Sequence, residues 1–184
     1  MRVGIFFLLA VLLTPSVPCR AEQESTLNEM ILLGVLRSSL PSFVEICTAR
    51  LARAMEAAGE QELEKNFSEE ELQRWAVSQL ERRSAGMLSE VGVMIHDKSF
   101  IGSGWVGLGP RKVRMMAQVG VEMVEGTPRL SLRRVRMNGS DVPEELLRRV
   151  ELEVNRAVGN RRIALRIRDL DLHEGSAWIR AETK

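Results

Sequence analysis

Both histidines of the chain stand beside an acid, His96 before Asp97 and His173 before Glu174. An imidazole steered by a carboxylate is the working part of a general base, and two such imidazoles with a further carboxylate would make a metal site. The supporting context for either chemistry is missing. No G-x-S-x-G, no H-E-x-x-H and no Cys/His pair with a surrounding motif occurs. Each His-acid pair also falls where a strand is expected to end, which suits solvated turn residues. "GSGWVG" (102–107) matches G-x-G-x-x-G, but that loop holds a pyrophosphate only when a helix starts inside it. Here Gly109-Pro110 and a strand-like segment follow, so the glycines read as places where a strand bends or packs under Trp105. Cys47, within "FVEICTARL", lies on an apolar helix face and reads as a small buried hydrophobe rather than a nucleophile. Glu69-Glu70-Glu71 belong to a helix first turn, where negative charge is favourable. The expectation is a non-enzyme with no catalytic residue, no metal and no cofactor.

The first residues bear on compartment. Arg2 precedes the uncharged apolar run "VGIFFLLAVLL" (3–13), Pro15 and Pro18 break any helix, and "CRA" ends at Ala21. This is the pattern of a secretory signal peptide spanning 1–21, cleaved after about Ala21, and the run is too short to span a bilayer as an anchor. Cys19 raises lipidation, but Pro18 fits a lipobox poorly. The expected product is exported, periplasmic or secreted, with no integral membrane span, and Cys47 leaves it without an internal disulfide. The formal net charge is +1, yet acids outnumber bases over 22–100 and bases, nearly all Arg, outnumber acids over 101–184. That Arg excess suits phosphate or phospholipid head groups. Nucleic acid is not expected as a partner, given export and the absence of Tyr as a stacking platform.

The elements that must position any site divide by period. Residues 22–86 read as an N-terminal helical segment. "LNEMILLGVLRSSL" (27–40) is apolar on nearly all sides and is expected to stop at Pro41. "SFVEICTARLARAMEAAG" (42–59) carries Phe43, Cys47, Leu51 and Met55 on one stripe, and "FSEEELQRWAVSQLERR" (67–83) opens with a capping box of Ser68 and Glu71. Residues 87–184 then read as a sheet with one helix, forming one globular domain with 22–86. In "RKVRMMAQVGVEMV" every odd position from Val113 to Met123 is apolar, which predicts a strand with one buried face. The apolar parity flips at Arg133-Arg134 and again near Arg168-Asp169, and each flip predicts a β-bulge. Between them, "NGSDVPEELLRRVELEVN" (138–155) reads as a turn, an Asp141 cap and an amphipathic helix over 143–158. Its stripe is Leu147, Val150, Val154 and Ala157/Val158, with Asn155 and Leu152 left over. The fold class expected is α+β: N-terminal helices, then a strongly curved antiparallel sheet of about five to six strands packed on helix 143–158.

A capped helix "FSEEELQRW", then "RLSLRRVRMNGSDVP", "EELLRRVELEVN" and "IALRIRDLDLHEGSAWIRA" follow in that order over about 66–184. This pattern resembles the small exported bacterial YpmS-like proteins, akin to tubular lipid-binding (TULIP-like) domains. The early helix of such proteins reads T-E-x-E-[LI]-N, and this chain has Gln73 in place of the Asn. The resemblance implies a curved sheet wrapped on a helix with an apolar groove for acyl chains. On that reading the groove would lie between the sheet and helix 143–158, lined by Val113, Met115, Val119, Val121 and Met123 with Leu147, Val150 and Val154. The partner expected is then a lipid or other apolar ligand. The alternative is an interaction module that docks on another envelope protein through the apolar helix 27–40, whose all-round hydrophobicity a lone surface helix cannot satisfy.

Overall fold

The computed structural model describes residues 20–84, 86–108, 111–160 and 165–183. The expected signal segment lies outside them except for its last two residues, and so do the side chains of 20–33. The chain is mixed α+β, with three helices and eight strands in two antiparallel sheets. Helix α1 (Arg20–Ala58) leads into β1 (Glu62–Ser68) and α2 (Glu69–Arg83). Then follow β2 (Leu88–His96), β3 (Ser99–Leu108), β4 (Arg111–Val124), β5 (Thr127–Met137) and the two-residue β6 (Ser140–Asp141). Helix α3 (Glu144–Gly159), β7 (Leu165–His173) and β8 (Ser176–Thr183) complete it. The larger sheet runs β2-β3-β4-β5-β6 and is not closed; the smaller runs β1-β8-β7.

The expected break at Pro41 does not occur: α1 is a single helix through it. A proline inside a helix removes one hydrogen bond and costs about 3 kcal/mol. Burial on both sides outweighs that here, since Val35, Leu36, Ile46, Leu51 and Met55 are all at most 5% exposed, and each such side chain contributes roughly 1.5–3 kcal/mol. Strand β1, read as part of the helical segment, instead pairs along its whole length with β8. The expected capping box of α2 is present: Glu71 N–H donates to Ser68 Oγ (3.2 Å) and Ser68 N–H to Glu71 Oε2 (3.4 Å).

Both expected bulges fall where the parity flips put them, and a third register shift, between Ser89 and Gly92 of β2, has no such flip. Leu132 faces Val119 and Arg134 faces Gln118, so Arg133 is the extra residue. Ile167 faces Ala181 and Asp169 faces Arg180, so Arg168 is the extra one. The sheet edges explain where the helices lie. Along the β2 edge, Val91, Val93 and Ile95 donate their outward N–H groups to Glu81 Oε1 (3.2 Å), Gln73 Oε1 (2.6 Å) and Glu69 Oε2 (2.9 Å) of α2. Along β5, beyond the short β6, Leu132 N–H donates to Glu151 Oε2 (2.8 Å) of α3. Leu130 N–H donates to Asn155 Oδ1 (2.8 Å), and Asn155 Nδ2 donates back to Leu130 O (2.7 Å). Helix side chains thus stand in for the strands that neither edge has.

Asp141 does not cap α3. The helix starts after Pro143, which makes no side-chain cap bond. Asn138 and Gly139, at φ of 49° and 86°, form the turn that brings Asp141 opposite Arg136 in register. There its carboxylate accepts from Arg134 Nε (2.9 Å) and Nη2 (3.0 Å) and from Arg136 Nε (3.1 Å). Two guanidiniums outweigh one helix terminus, and the Arg134 hydrogen bond first of all holds the Asp141 carboxyl down at about 2. A depressed carboxylate contributes stability above its unfolded pKa, near 3.8, and loses it as pH falls through the folded value. Acid titration of unfolding should show that loss between about pH 4 and pH 2, and Asp141→Asn should flatten it.

Two apolar clusters fill the interior. Val35 and Leu36 of α1, the inner face of β4 and β5, and Leu147, Val150, Val154 and Val158 of α3 form the first. The second lies under the small sheet, where Leu51 and Met55 of α1 meet Phe67, Leu165, Leu172, Ala177 and Ala181. One helix therefore serves both sheets.

Candidate functional site

Where α1 crosses from one cluster to the other, the packing leaves a partly open cavity of about 160 Å³ with an almost wholly apolar wall. Its origin lies in residue size. On the inner face of the large sheet, Val93, Gly102 and Ala117 stand side by side on β2, β3 and β4. Gly104 sits two residues on and faces Met115. Glycine and alanine at these positions hollow the sheet under α1, so the "GSGWVG" motif makes room and cradles no phosphate. Opposite them stand Ser39, Phe43, Val44 and Cys47 of α1, while Leu170 and Ile179 of the small sheet close another side. Phe43 packs edge-on against Phe100, with ring centroids 5.7 Å apart, and fixes the helix over the hollow.

Of the β4 residues expected to line a groove, Met115, Val119 and Val121 are in the cavity wall. Val113 is buried in the first cluster; Met123 is half-buried opposite Pro128. Leu147, Val150 and Val154 are buried on α3 in the first cluster and are not in the wall. The helix over the cavity is α1, with α3 seated toward the β5 edge. Sequence reasoning put Phe43 and Cys47 on a buried stripe without seeing that the stripe faces a hollow. The available signal was the run of small residues, Gly102, Gly104 and Ala117, on three neighbouring inward positions.

The wall holds few groups able to react. Burial pushes the Cys47 thiol up to about 12, so it stays protonated and poorly nucleophilic at neutral pH. Thr48 spends its hydroxyl on Val44 O (2.9 Å) and Glu45 O (3.1 Å) of its own helix. Among the described residues, no fully buried side-chain nitrogen or oxygen lacks a partner, and the wall offers a ligand almost wholly apolar surface.

The histidines lie elsewhere. His96 Nδ1 is 2.8 Å from Glu174 Oε1, and His173 Nε2 is 3.2 Å from Asp171 Oδ2; all four side chains are more than half exposed. The Glu174 hydrogen bond raises the His96 pKa. The pair belongs to a structural joint, in which Gly175 N–H donates to Ile95 O (3.2 Å) and Glu69 N–H to Gly175 O (2.8 Å). That joint ties the β7–β8 turn to the end of β2 and the start of α2. Among the described residues, no group of three His, Cys, Asp or Glu gathers to hold a metal ion, and no helix is long and apolar enough to cross a membrane. No family model, curated protein or solved structure matches the chain.

Proposed function

We propose that this is an exported, non-enzymatic protein that holds a lipid or other apolar ligand in the cavity between α1 and the two sheets. The cavity carries the reading. A hydrocarbon-lined space of about 160 Å³ is of the size that takes up a small apolar guest, about that of one aromatic ring or a short length of acyl chain. The export pattern at the N-terminus supplies the compartment, and the resemblance to lipid-binding domains agrees with the chemistry of the wall. Among the described residues no charged side chain lines the space, so the ligand is held by its apolar part, and any head group lies outside.

Native mass spectrometry of the gently purified protein should show an added mass that organic extraction removes and identifies as a lipid or other apolar molecule. A protein that is ligand-free under those conditions, and that takes up no fluorescent fatty acid afterwards, would sink the reading. Docking on an envelope protein through residues 27–40 is the second reading. Val35 and Leu36 are committed to the core, so it rests on the earlier turns of that segment.

A further inference from the structure

The face of the large sheet turned away from the cavity has a composition of its own. Along β4 it presents Lys112, Arg114, Met116, Gln118 and Glu122. Opposite Met116 and Gln118 in register stand Arg136 and Arg134 of β5, and opposite Glu122 stands Arg129. The bulge adds one more cation: with Arg133 as the extra residue, Arg133 and Arg134 are both exposed. Gly120 is what lets Arg133 lie down on the sheet. A Cβ there would meet Ser131 Oγ at 2.5 Å and Arg133 Nε at 3.0 Å, and Arg133 Nη1 reaches on to donate to Asp97 O (3.2 Å).

Against these bases β4 and β6 set Glu122 and Asp141. Asp141 is spent on Arg134 and Arg136, and among the described residues Lys112, Arg114 and Arg129 have no ion pair. Apolar side chains are interleaved with the charges. Met94 is 50% exposed and stands beside Ile101, while Trp105 stands beside Arg114; Ile101, Trp105 and Met116 are half-buried.

We propose that this outer sheet face, centred on Lys112, Arg114 and Trp105, docks the protein on the surface of a lipid bilayer that carries anionic phospholipid. Guanidinium forks match phosphate oxygens, and an indole with thioether and aliphatic neighbours suits the head-group layer, where an apolar body meets a polar rim. A nucleic-acid surface would draw on the same cations but would gain nothing from Met94, Ile101 and Met116. The strands hold the face rigid, so little entropy is lost on docking. The inference stands apart from the cavity's contents, because the face and the cavity lie on opposite sides of the same strands.

The test is co-sedimentation of the purified protein with vesicles of phosphatidylcholine, with and without a third of phosphatidylglycerol. Binding should need the anionic lipid and fade in high salt. The double variant Lys112→Gln with Arg114→Gln should bind on the order of 25-fold more weakly, about fivefold for each charge at the surface. Arg148→Gln, on exposed α3, should change nothing. Equal binding to neutral vesicles, indifference of binding to salt, or unchanged binding of the double variant would overturn the proposal, as would retention of short duplex DNA in place of vesicles. The salt titration uses the unaltered protein, so the test does not hang on how the variant folds.

Discussion

Gly102→Phe is expected to abolish ligand uptake while leaving the protein folded and about as stable as before. Gly102 lies on the inner sheet face between Val93 and Ala117 and lines the cavity. A Cβ added there meets nothing within 4 Å, so a side chain enters the hollow without displacing backbone. Three effects set the sign of the stability change. Replacing glycine inside a strand removes an entropic cost of about 0.5–1 kcal/mol. Burying the ring contributes roughly 1.5–3 kcal/mol, and fitting it beside Phe43 and Phe100 costs about 1–3 kcal/mol. The net lies between about −1 and +3 kcal/mol and is centred near +1, so Tm should stay within about ten degrees of the parent's. The apolar guest loses its space outright, so co-purified lipid should vanish from native mass spectra and binding of a fluorescent fatty acid should fall by at least about 100-fold. A folded variant that still carries its lipid would show that the ligand sits elsewhere.

That residue also shows how much of the site could be read from the chain. The inward parity of β4 and the two bulges were legible, because a period of two and its interruption are properties of neighbouring residues. Leu147, Val150, Val154 and Val158 were equally legible as a buried stripe. Which helix covers the hollow was not, because it depends on α1 running unbroken past Pro41 to serve two clusters. Local propensity argues against that path, and only tertiary burial of Val35, Leu36, Ile46 and Leu51 overrides it. Strand β1 escaped for a similar reason. "ELEKNFS" has one buried residue, Phe67, and becomes a strand through pairing with β8, more than a hundred residues away. Glycines 102 and 104 read in the sequence as a strand bend or a seat for Trp105, and that they leave space follows only once their strand neighbours are known. Their work, leaving space, has no local signature.

Asn155 is surplus to the amphipathic pattern of α3, and its replacement is expected to cost more than that of any other exposed-side residue of that helix. Its carboxamide answers both backbone groups of Leu130, at 2.8 and 2.7 Å, on the part of β5 that no strand covers. In Asn155→Ala an N–H and a C=O lose their partners together, at about 1–2 kcal/mol each, the lower part of the range for buried groups because both are only part-buried. A loss of about 2–4 kcal/mol should lower Tm by roughly 5–15 °C. Asn155→Asp separates the two bonds. Its carboxylate still accepts from Leu130 N–H but faces Leu130 O without a proton to donate, so it should recover little of the loss. Leu152→Ala is the contrast, because that side chain is 62% exposed and its removal should change Tm by no more than about 1–2 °C. Hydrogen exchange gives a readout that a general loss of packing would not. The Leu130 amide should lose protection first in Asn155→Ala, the Leu132 amide, held by Glu151 Oε2 at 2.8 Å, should follow, and amides of β3 in the sheet centre should lag behind both. A bare edge is also a template for another strand, so the variant should self-associate at concentrations where the parent stays dispersed. Equal protection of Leu130 in parent and variant would mean that α3 is held on β5 by its apolar stripe alone.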